Sequence, residues 1–247
     1  MKKILILLLL FIPFSFSVNA KDYGWGLVPS KNHEAPDPGP IYQKLIDDHN
    51  AFYIGNSNLK TIYLTFDMGY ENGNTSAILD CLKEENVNAC FFVTGHYLKN
   101  NPELILRMAK EGHIVGNHTW SHPKITKLSY DELALELSKV EDLYTKITGR
   151  EMSKFARAPE GLISDEALTN FDNLGYTSVY WSLAYKDWNH DNGWEYSYNY
   201  VMEHIHNGAI ILMHAVSKDN AQALKKILID LKKEGYQFAS LENLYLE

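Results

Sequence analysis

The sequence predicts an α/β fold in which helices cover a parallel sheet within one continuous domain. Two observations predict it. Short β-branched or apolar runs alternate with amphipathic helical runs from Thr61 onward, and a polar, chemically reactive side chain follows most of the apolar runs. Strands that alternate with helices pair in parallel, because each helix provides the crossover to the next strand. Doubly wound sheets and barrels share this alternation, so the pattern by itself leaves both open.

The strands and helices follow one another in about seven βα units. Each predicted strand is rich in β-branched and aromatic residues. The strands are 61–66, 89–93, 113–116, 154–156, 177–181, 208–214 and 236–239. The helices are 41–49, 75–85, 102–111, 129–148, 165–174, 198–206 and 220–234. Helix-end signals support these bounds, since Ser129 with Glu132 fits a capping box and Gly149 and Gly235 each stop a helix.

The composition and the first twenty residues indicate where the protein is located in or outside the cell. The 247 residues are 45% hydrophobic with a formal net charge of −8, which excludes a disordered chain and argues against a nucleic-acid binder. A basic start, an apolar run at 4–14 and small residues before Ala20 predict a secretory signal peptide that is cut after Ala20, with an uncleaved anchor as the alternative. That cut leaves 21 basic and 31 acidic residues, a net charge of −10. No later stretch is apolar enough to span a bilayer.

The remaining chain divides into an arm and one domain. Residues 21–60 carry clustered glycines and prolines and are predicted to form an irregular arm around a domain of residues 61–247. Cys81 lies in a helical pattern and Cys90 opens an apolar strand. Both are therefore predicted to be small core residues rather than a disulfide pair, although export would permit a disulfide.

Reactive side chains lie just after the predicted strands, where parallel folds gather their functional groups. They are Asp67, His118, His122, Arg157, Asp187, Trp188 and His214. His118 and His122 are four residues apart, so on one helical turn they face the same way and can share a metal ion. Pro123 favours a loop or a single turn at this point. Ordinary structural roles stay open as well, with Asp67 as a turn residue and His214 as a core histidine.

Together these side chains suggest metal-assisted hydrolysis of an amide or an ester. A divalent ion held by His118 and His122 would polarise a carbonyl and acidify a water molecule. Asp67 would take the proton from that water, and Arg157 would keep Asp67 ionised. His214 would protonate the leaving group, because the pKa of histidine lies near neutrality. The aromatic-rich segment 176–200 would suit sugar rings, although most such residues pack in cores.

Five motifs occur in the order typical of one enzyme family. They are Thr65-Phe66-Asp67-Met68-Gly69, His118-Thr119-Trp120-Ser121-His122, Arg157-Ala158-Pro159-Glu160-Gly161, Asp187-Trp188 and Leu212-Met213-His214. Over about residues 61–241 the chain therefore resembles the polysaccharide deacetylases, the NodB-homology family 4 of carbohydrate esterases. The resemblance implies a distorted (β/α)7 barrel and the removal of acetyl groups from N-acetylated sugars.

The resemblance also implies roles for the motif residues. It implies that Asp67 is the base, that Arg157 orients it, and that His214 is the acid. It implies that His118 and His122 bind the metal. It further implies that the groove is lined by Trp188, Asp187, Tyr185, Pro159, Glu160 and Leu212. The backbone amide after the motif proline is expected to stabilise the oxyanion.

Met68 departs from the family pattern, which has a second Asp as a metal ligand at this position. A thioether is a poor ligand for Zn²⁺, Mg²⁺ or Mn²⁺. We therefore expect a divalent ion, Zn, Mn, Mg or Co, that is bound weakly by His118 and His122.

Three further segments resemble the PdaA-type branch, the peptidoglycan N-acetylmuramic acid deacetylases of spore-formers. They are 69–73, 181–188 and 214–221, together with the Gly-Trp-Gly arm. The implied activity is deacetylation of N-acetylmuramic acid in glycan strands, for muramic δ-lactam formation in the spore cortex. An N-acetylglucosamine deacetylase and an inactive glycan-binding module are the alternatives. We expect a secreted monomer in the cell wall or spore envelope space, whose acidic surface gives it no electrostatic attraction to an anionic wall.

Overall fold

The computed structural model describes residues 22–29, 31–188 and 192–246, so the signal-peptide prediction lies outside the described residues. The strands are β1 (Tyr23–Gly24), β2 (Ala51–Phe52), β3 (Thr61–Met68), β4 (Cys90–Val93), β5 (Ile114–Asn117), β6 (Phe155–Ala156), β7 (Leu162–Ile163), β8 (Thr177–Val179), β9 (Ala209–His214) and β10 (Gln237–Phe238). The α-helices are α1 (Gly39–Asp47), α2 (Thr75–Glu84), α3 (Gly95–Asn100), α4 (Pro102–Lys110), α5 (Tyr130–Thr148), α6 (Asp165–Asn173), α7 (Trp194–His204) and α8 (Lys218–Lys233). Short 3-10 helices lie at Ile125–Lys127, Pro159–Gly161 and Leu241–Tyr245.

The parallel strands form a sheet that curls into a distorted barrel. β9 pairs with β3, and the sheet continues through β4, β5, β6 and β8 to β2, while β10 pairs with the first residues of β3. The far edge then bends back onto β9, since Leu183 forms a bridge with Ile211 and Ile54 forms one with Ala209. The barrel that the family resemblance implied is thus confirmed, and the doubly wound alternative is wrong because an open sheet leaves its outer strands apart.

Most predicted elements are present within a few residues of their predicted bounds, and the capping box of Ser129 and Glu132 is formed. The largest shift is in α7, which begins at Trp194 rather than at residue 198. Its N-cap is Gly193, which has no side chain to mark the start of a helix. Helix α3 and strands β1, β2 and β7 were not predicted. The three strands have two residues each, too few to show a period.

Both cysteines are buried free thiols, as predicted. Cys81 packs in the apolar cluster that joins β3 to the helices, and Cys90 packs in a separate cluster with Tyr63 and Phe92. Burial raises the pKa of Cys81 to about 11. Among the described helices, none is long and apolar enough to cross a membrane.

The arm is part of the folded unit rather than a separate segment. Its helix α1 buries Leu45 and Ile46 in an apolar cluster that includes Trp25 and Tyr180, and β2 extends the sheet beside β8. β1 pairs in antiparallel fashion with β7. The arm therefore reaches the carboxyl ends of the parallel strands, where the candidate site lies.

Candidate active site

A cavity of about 700 Å³ opens at the carboxyl ends of the parallel strands. Most of the residues predicted from the sequence line it, namely Asp67, His118, His122, Glu160, Tyr185, Trp188, Leu212 and His214. Arg157 and Asp187 lie behind this lining, each bonded to one lining side chain. Pro159 is buried next to Glu160. The structure therefore brings the predicted residues together, because parallel strands end at a common edge.

Asp67 is fixed at the cavity floor by a fully buried arginine. Nη1 of Arg157 donates to Oδ1 of Asp67 and to Oγ1 of Thr65, each at 2.8 Å. Its Nε donates to the carbonyl of Val179 at 2.9 Å, and Nη2 donates to that of Tyr180 at 3.2 Å. Burial would raise the pKa of Asp67 and is the largest single effect, but the charge and hydrogen bond of Arg157, with smaller contributions from the neighbouring histidines, together outweigh it and leave this pKa below its ordinary value. Asp67 is therefore ionised at neutral pH.

His118 and His122 are brought together by a loop after β5, not by a helical turn. Thr119 and His122 both have left-handed backbone conformations, with φ of 64° and 58°. Oδ1 of Asn117 accepts the amide of Thr119 at 2.9 Å, and the amide of Gly95 donates to the Thr119 carbonyl at 3.2 Å. The ring centroids of the two histidines are 5.0 Å apart. Strained residues of this kind persist only where their surroundings hold them, and they cluster at functional sites.

His118 has the protonation state that a metal ligand needs. Its Nδ1 lies 2.8 Å from the carbonyl of Arg157 and donates to it, which leaves the lone pair on Nε2. Burial lowers the pKa of His118 to about 4, so the imidazole is neutral. Its Nε2 lies 3.7 Å from Oδ2 of Asp67, while His122 is exposed at the cavity rim.

Met68 takes no part in this arrangement. It points to the opposite face of β3 from Asp67 and is fully buried in the core cluster between the sheet and the helices. Within the described ranges, no group of three His, Cys, Asp or Glu side chains has a geometry that could hold a metal ion. The two histidines therefore fit a divalent ion as a partial ligand set.

His214 ends β9, next to Asp67 on the neighbouring strand. Its Nδ1 lies 2.7 Å from Oδ1 of Asp187, and its backbone amide donates to Oδ2 of the same carboxylate at 2.8 Å. Burial lowers the pKa of His214, but the hydrogen bond and charge of Asp187, together with the charge of Asp67, outweigh burial and leave this pKa above its ordinary value of 6.5. Trp188 is 50% exposed, and its ring lies 5.0 Å from the imidazole.

Several lining residues were missed by the sequence analysis. They are Trp25, Gly26, Leu27, Pro29, Tyr70, Trp181, Ser182 and Val216. Asn220 was also missed, and it donates from Nδ2 to Asp187 and accepts from the hydroxyl of Tyr185. Tyr70, Trp181, Ser182, Val216 and Asn220 lie in the segments 69–73, 181–188 and 214–221, so the family resemblance was the signal available for them. The arm residues carried a family resemblance but no chemical signal.

Known proteins share this fold and much of this sequence. Residues 55–179 match the family described as polysaccharide deacetylase. The chain is 47% identical to the Bacillus subtilis peptidoglycan-N-acetylmuramic acid deacetylase PdaA, over 90% of this chain and 86% of that protein. The solved structure of PdaA, a family 4 carbohydrate esterase, has a TM-score of 0.90 at 45% identity, over 92% of this chain and 98% of that one. The Listeria monocytogenes peptidoglycan-N-acetylglucosamine deacetylase PgdA is 33% identical, over 90% of this chain and 49% of that protein.

Proposed function

The chain belongs to the polysaccharide deacetylase family, and from this we propose that it hydrolyses the N-acetyl group of N-acetylmuramic acid residues in peptidoglycan. The observation that carries the proposal is the pairing of Asp67 with His214 on adjacent strands at one cavity, each with its own buried ionic partner. Amide hydrolysis needs a base on one side of the reacting carbon and an acid for the leaving amine.

Asp67 is the base in this proposal. Its Oδ1 is occupied by Arg157, so Oδ2 is the atom that takes the proton from the attacking water. His214 is the acid. Its Nδ1 is held by Asp187, so Nε2 is the nitrogen that donates a proton to the leaving amine. The backbone amide of Glu160, in the turn that follows Arg157, stabilises the oxyanion.

A divalent ion, Zn, Mn, Mg or Co, would be held by His118 and His122, and when bound it would polarise the acetyl carbonyl. Two imidazoles without a third protein ligand bind such an ion weakly. The core position of Met68 supports this, since its thioether lies away from the cavity lining.

Metal removal is therefore expected to reduce acetate release by at least about tenfold. The experiment treats the protein with a chelator, measures its metal content, and then adds back each of the four ions. Recovery is expected at ion concentrations well above those of the enzyme, because the site is weak. Undiminished turnover in protein shown to be metal-free would contradict the metal role.

The substrate assignment is supported by the relatives. The protein named as an N-acetylmuramic acid deacetylase is 47% identical, whereas the one named as an N-acetylglucosamine deacetylase is 33% identical. Trp188 and Tyr70 are both about half exposed at the cavity and offer flat faces to a sugar ring. We further propose that the protein is exported to the cell wall or spore envelope space and contributes to δ-lactam formation in the spore cortex.

The test is acetate release from peptidoglycan glycan strands whose peptides have been removed, followed by mass spectrometry of the digested products. We expect the loss of one acetyl group on muramic residues. Acetyl loss on glucosamine residues alone would favour an N-acetylglucosamine deacetylase. Retention on the glycan with no acetyl loss, with any of the four metals present, would favour an inactive binding module.

The variant Asp187→Asn is expected to move the basic limb of the pH profile of kcat to lower pH. Asp187 raises the pKa of His214 above 6.5, so the protonated acid persists at higher pH in the wild type. Stability from this pair is likewise fully present below 6.5 and is lost as the pH rises through the folded pKa. An amide removes the charge and leaves the lowering effect of burial. At neutral pH we expect kcat to fall by about 10- to 100-fold.

The matched control is Asp219→Asn. Asp219 is also buried, but its carboxylate accepts the amide of Asn192. Its basic limb is expected to stay at the wild-type pH. If Asp187→Asn also kept the wild-type limb, His214 would not be the acid that this limb reports.

A further inference from the structure

The first described residues of the arm are bonded to the turn that follows Arg157. Tyr23 pairs with Ile163, and Gly24 pairs with Leu162. The amide of Trp25 then donates to the carbonyl of Gly161 at 2.7 Å. The arm thus continues a small antiparallel sheet up to the last residue of the Pro159–Gly161 turn. Glu160 and Gly161 of this turn line the same cavity as Asp67 and His214.

Trp25 connects the turn to a second wall of the cavity. It is 5% exposed, and its indole Nε1 donates to the carbonyl of Trp181 at 2.9 Å. Its ring lies 4.9 Å from that of Tyr180. The carbonyl of Tyr180 accepts from the guanidinium of Arg157. One arm residue therefore contacts both the turn and the segment on which Arg157 rests.

The turn itself has a backbone that needs such support. Glu160 has φ of 56° and Gly161 has φ of 63°, both in the left-handed region. Glu160 is not a glycine, so this conformation is strained and persists only where the surroundings fix it. A Cβ at Gly161 would lie 2.7 Å from the Trp181 ring and 3.3 Å from Cβ of Trp25. The space around the turn is thus filled by the arm and by Trp181.

We propose that residues 23–25 are a positioning segment of the deacetylase site, which holds the left-handed turn at Glu160 in place beside the reacting group. This rests on the proposed function, in which the Glu160 amide stabilises the oxyanion. The segment lies outside residues 55–179, the part of the chain that matches the family. A hydrogen-bond donor that stabilises an oxyanion loses this effect when it is displaced by about 1 Å. The Glu160 amide therefore depends on the positioning segment that holds its turn.

The kinetic test compares Trp25→Ala with Leu45→Ala. Both residues are buried in the same apolar cluster, and Leu45 lies on α1. We expect Trp25→Ala to lower kcat for acetate release by about 10- to 100-fold with a smaller change in KM. Each variant is assayed at the same interval below its own Tm. Under these conditions Leu45→Ala is expected to keep kcat within about twofold of the wild type. Trp25→Phe keeps ring packing and is expected to recover most of kcat. Equal kcat in the two alanine variants would overturn the proposal.

Hydrogen exchange provides a readout that does not depend on turnover. In Trp25→Ala, the amides of residues 158 and 160–163 are expected to exchange at least about tenfold faster, and in Leu45→Ala they are expected to keep wild-type rates. If the wild type releases no acetate, the proposed function fails, and hydrogen exchange alone then tests whether Trp25 holds the turn in place. Unchanged exchange in Trp25→Ala overturns the proposal, and so does faster exchange with an unaltered kcat in an active enzyme.

Discussion

Replacement of Asp67 by asparagine is expected to lower kcat for acetate release by about 10²- to 10⁴-fold, the usual contribution of a positioned base. The amide keeps the size of the carboxylate and can still accept from Nη1 of Arg157, but it cannot take a proton from water. The substitution also leaves the buried Arg157 without its counter-charge, so the variant is expected to be less stable, but at a temperature at which it is folded we expect the cavity to keep its lining. We therefore expect the variant to retain the glycan strands that it no longer deacetylates, as measured by co-sedimentation with peptide-free peptidoglycan.

A surface carboxylate provides the control for this substitution. Asp80 lies on α2, where it pairs with Arg107 at 2.6 Å. Asp80→Asn is expected to keep the wild-type kcat, and circular dichroism will show that both variants are folded at the assay temperature. Wild-type turnover in Asp67→Asn would rule out Asp67 as the base. If the wild type itself retained glycan without turnover, we would conclude that the protein is an inactive glycan-binding module rather than a deacetylase.

The site residues at the ends of the long strands β3 and β9 could be predicted from the sequence. β3 and β9 each have at least six residues, and a reactive polar residue ends each apolar run. The rule that parallel strands end at one edge was then enough to place Asp67 and His214 at the same face of the sheet, whereas their position on neighbouring strands is known only from the structure. The need of a buried carboxylate for a partner made Arg157 a candidate partner of Asp67, with a surface ion pair as the alternative, and the structure shows the pairing with Asp67.

The other parts depend on tertiary contacts that leave no local pattern. Thr119 is β-branched and disfavours the left-handed conformation that it adopts, so no propensity argument predicts the histidine loop. α3 braces that loop through Gly95, but it has only six residues. Met68 stands where the family has an aspartate ligand and was expected to be a poor ligand, but only the pleat of β3 shows that its side chain belongs to the core. The sequence gives types and spacing, whereas conformation at these points comes from packing.

Replacement of Arg157 by methionine is expected to have the largest effect on stability as well as abolishing activity. Arg157 is fully buried, and its removal leaves Asp67 without its counter-charge in a site that is 8% exposed. Breaking a buried ion pair on one side costs about 3–5 kcal/mol, because the remaining charge is uncompensated. The carbonyls of Val179 and Tyr180 also lose their donor. Urea unfolding at neutral pH measures the free energy of unfolding.

A partly exposed arginine shows what an ordinary ion pair contributes. Arg107 has a side chain that is 26% exposed and pairs with Asp80 and Glu111. Arg107→Met is expected to cost about 0–1 kcal/mol. Arg157→Lys keeps the charge but loses the planar guanidinium with its several donors, so it is expected to fold with intermediate stability and low activity. Its free energy of unfolding is the one to measure if Arg157→Met does not fold.

The double variant Asp67→Asn/Arg157→Met decides whether the lone carboxylate is the cause. Because it removes the uncompensated charge as well as its partner, it is expected to be more stable than Arg157→Met alone. It is expected to be as inactive as either single variant, since it lacks the proposed base, Asp67. If the double variant were less stable than Arg157→Met by the full effect of Asp67→Asn, the two residues would act independently. The buried pair would then not be what holds the base in place.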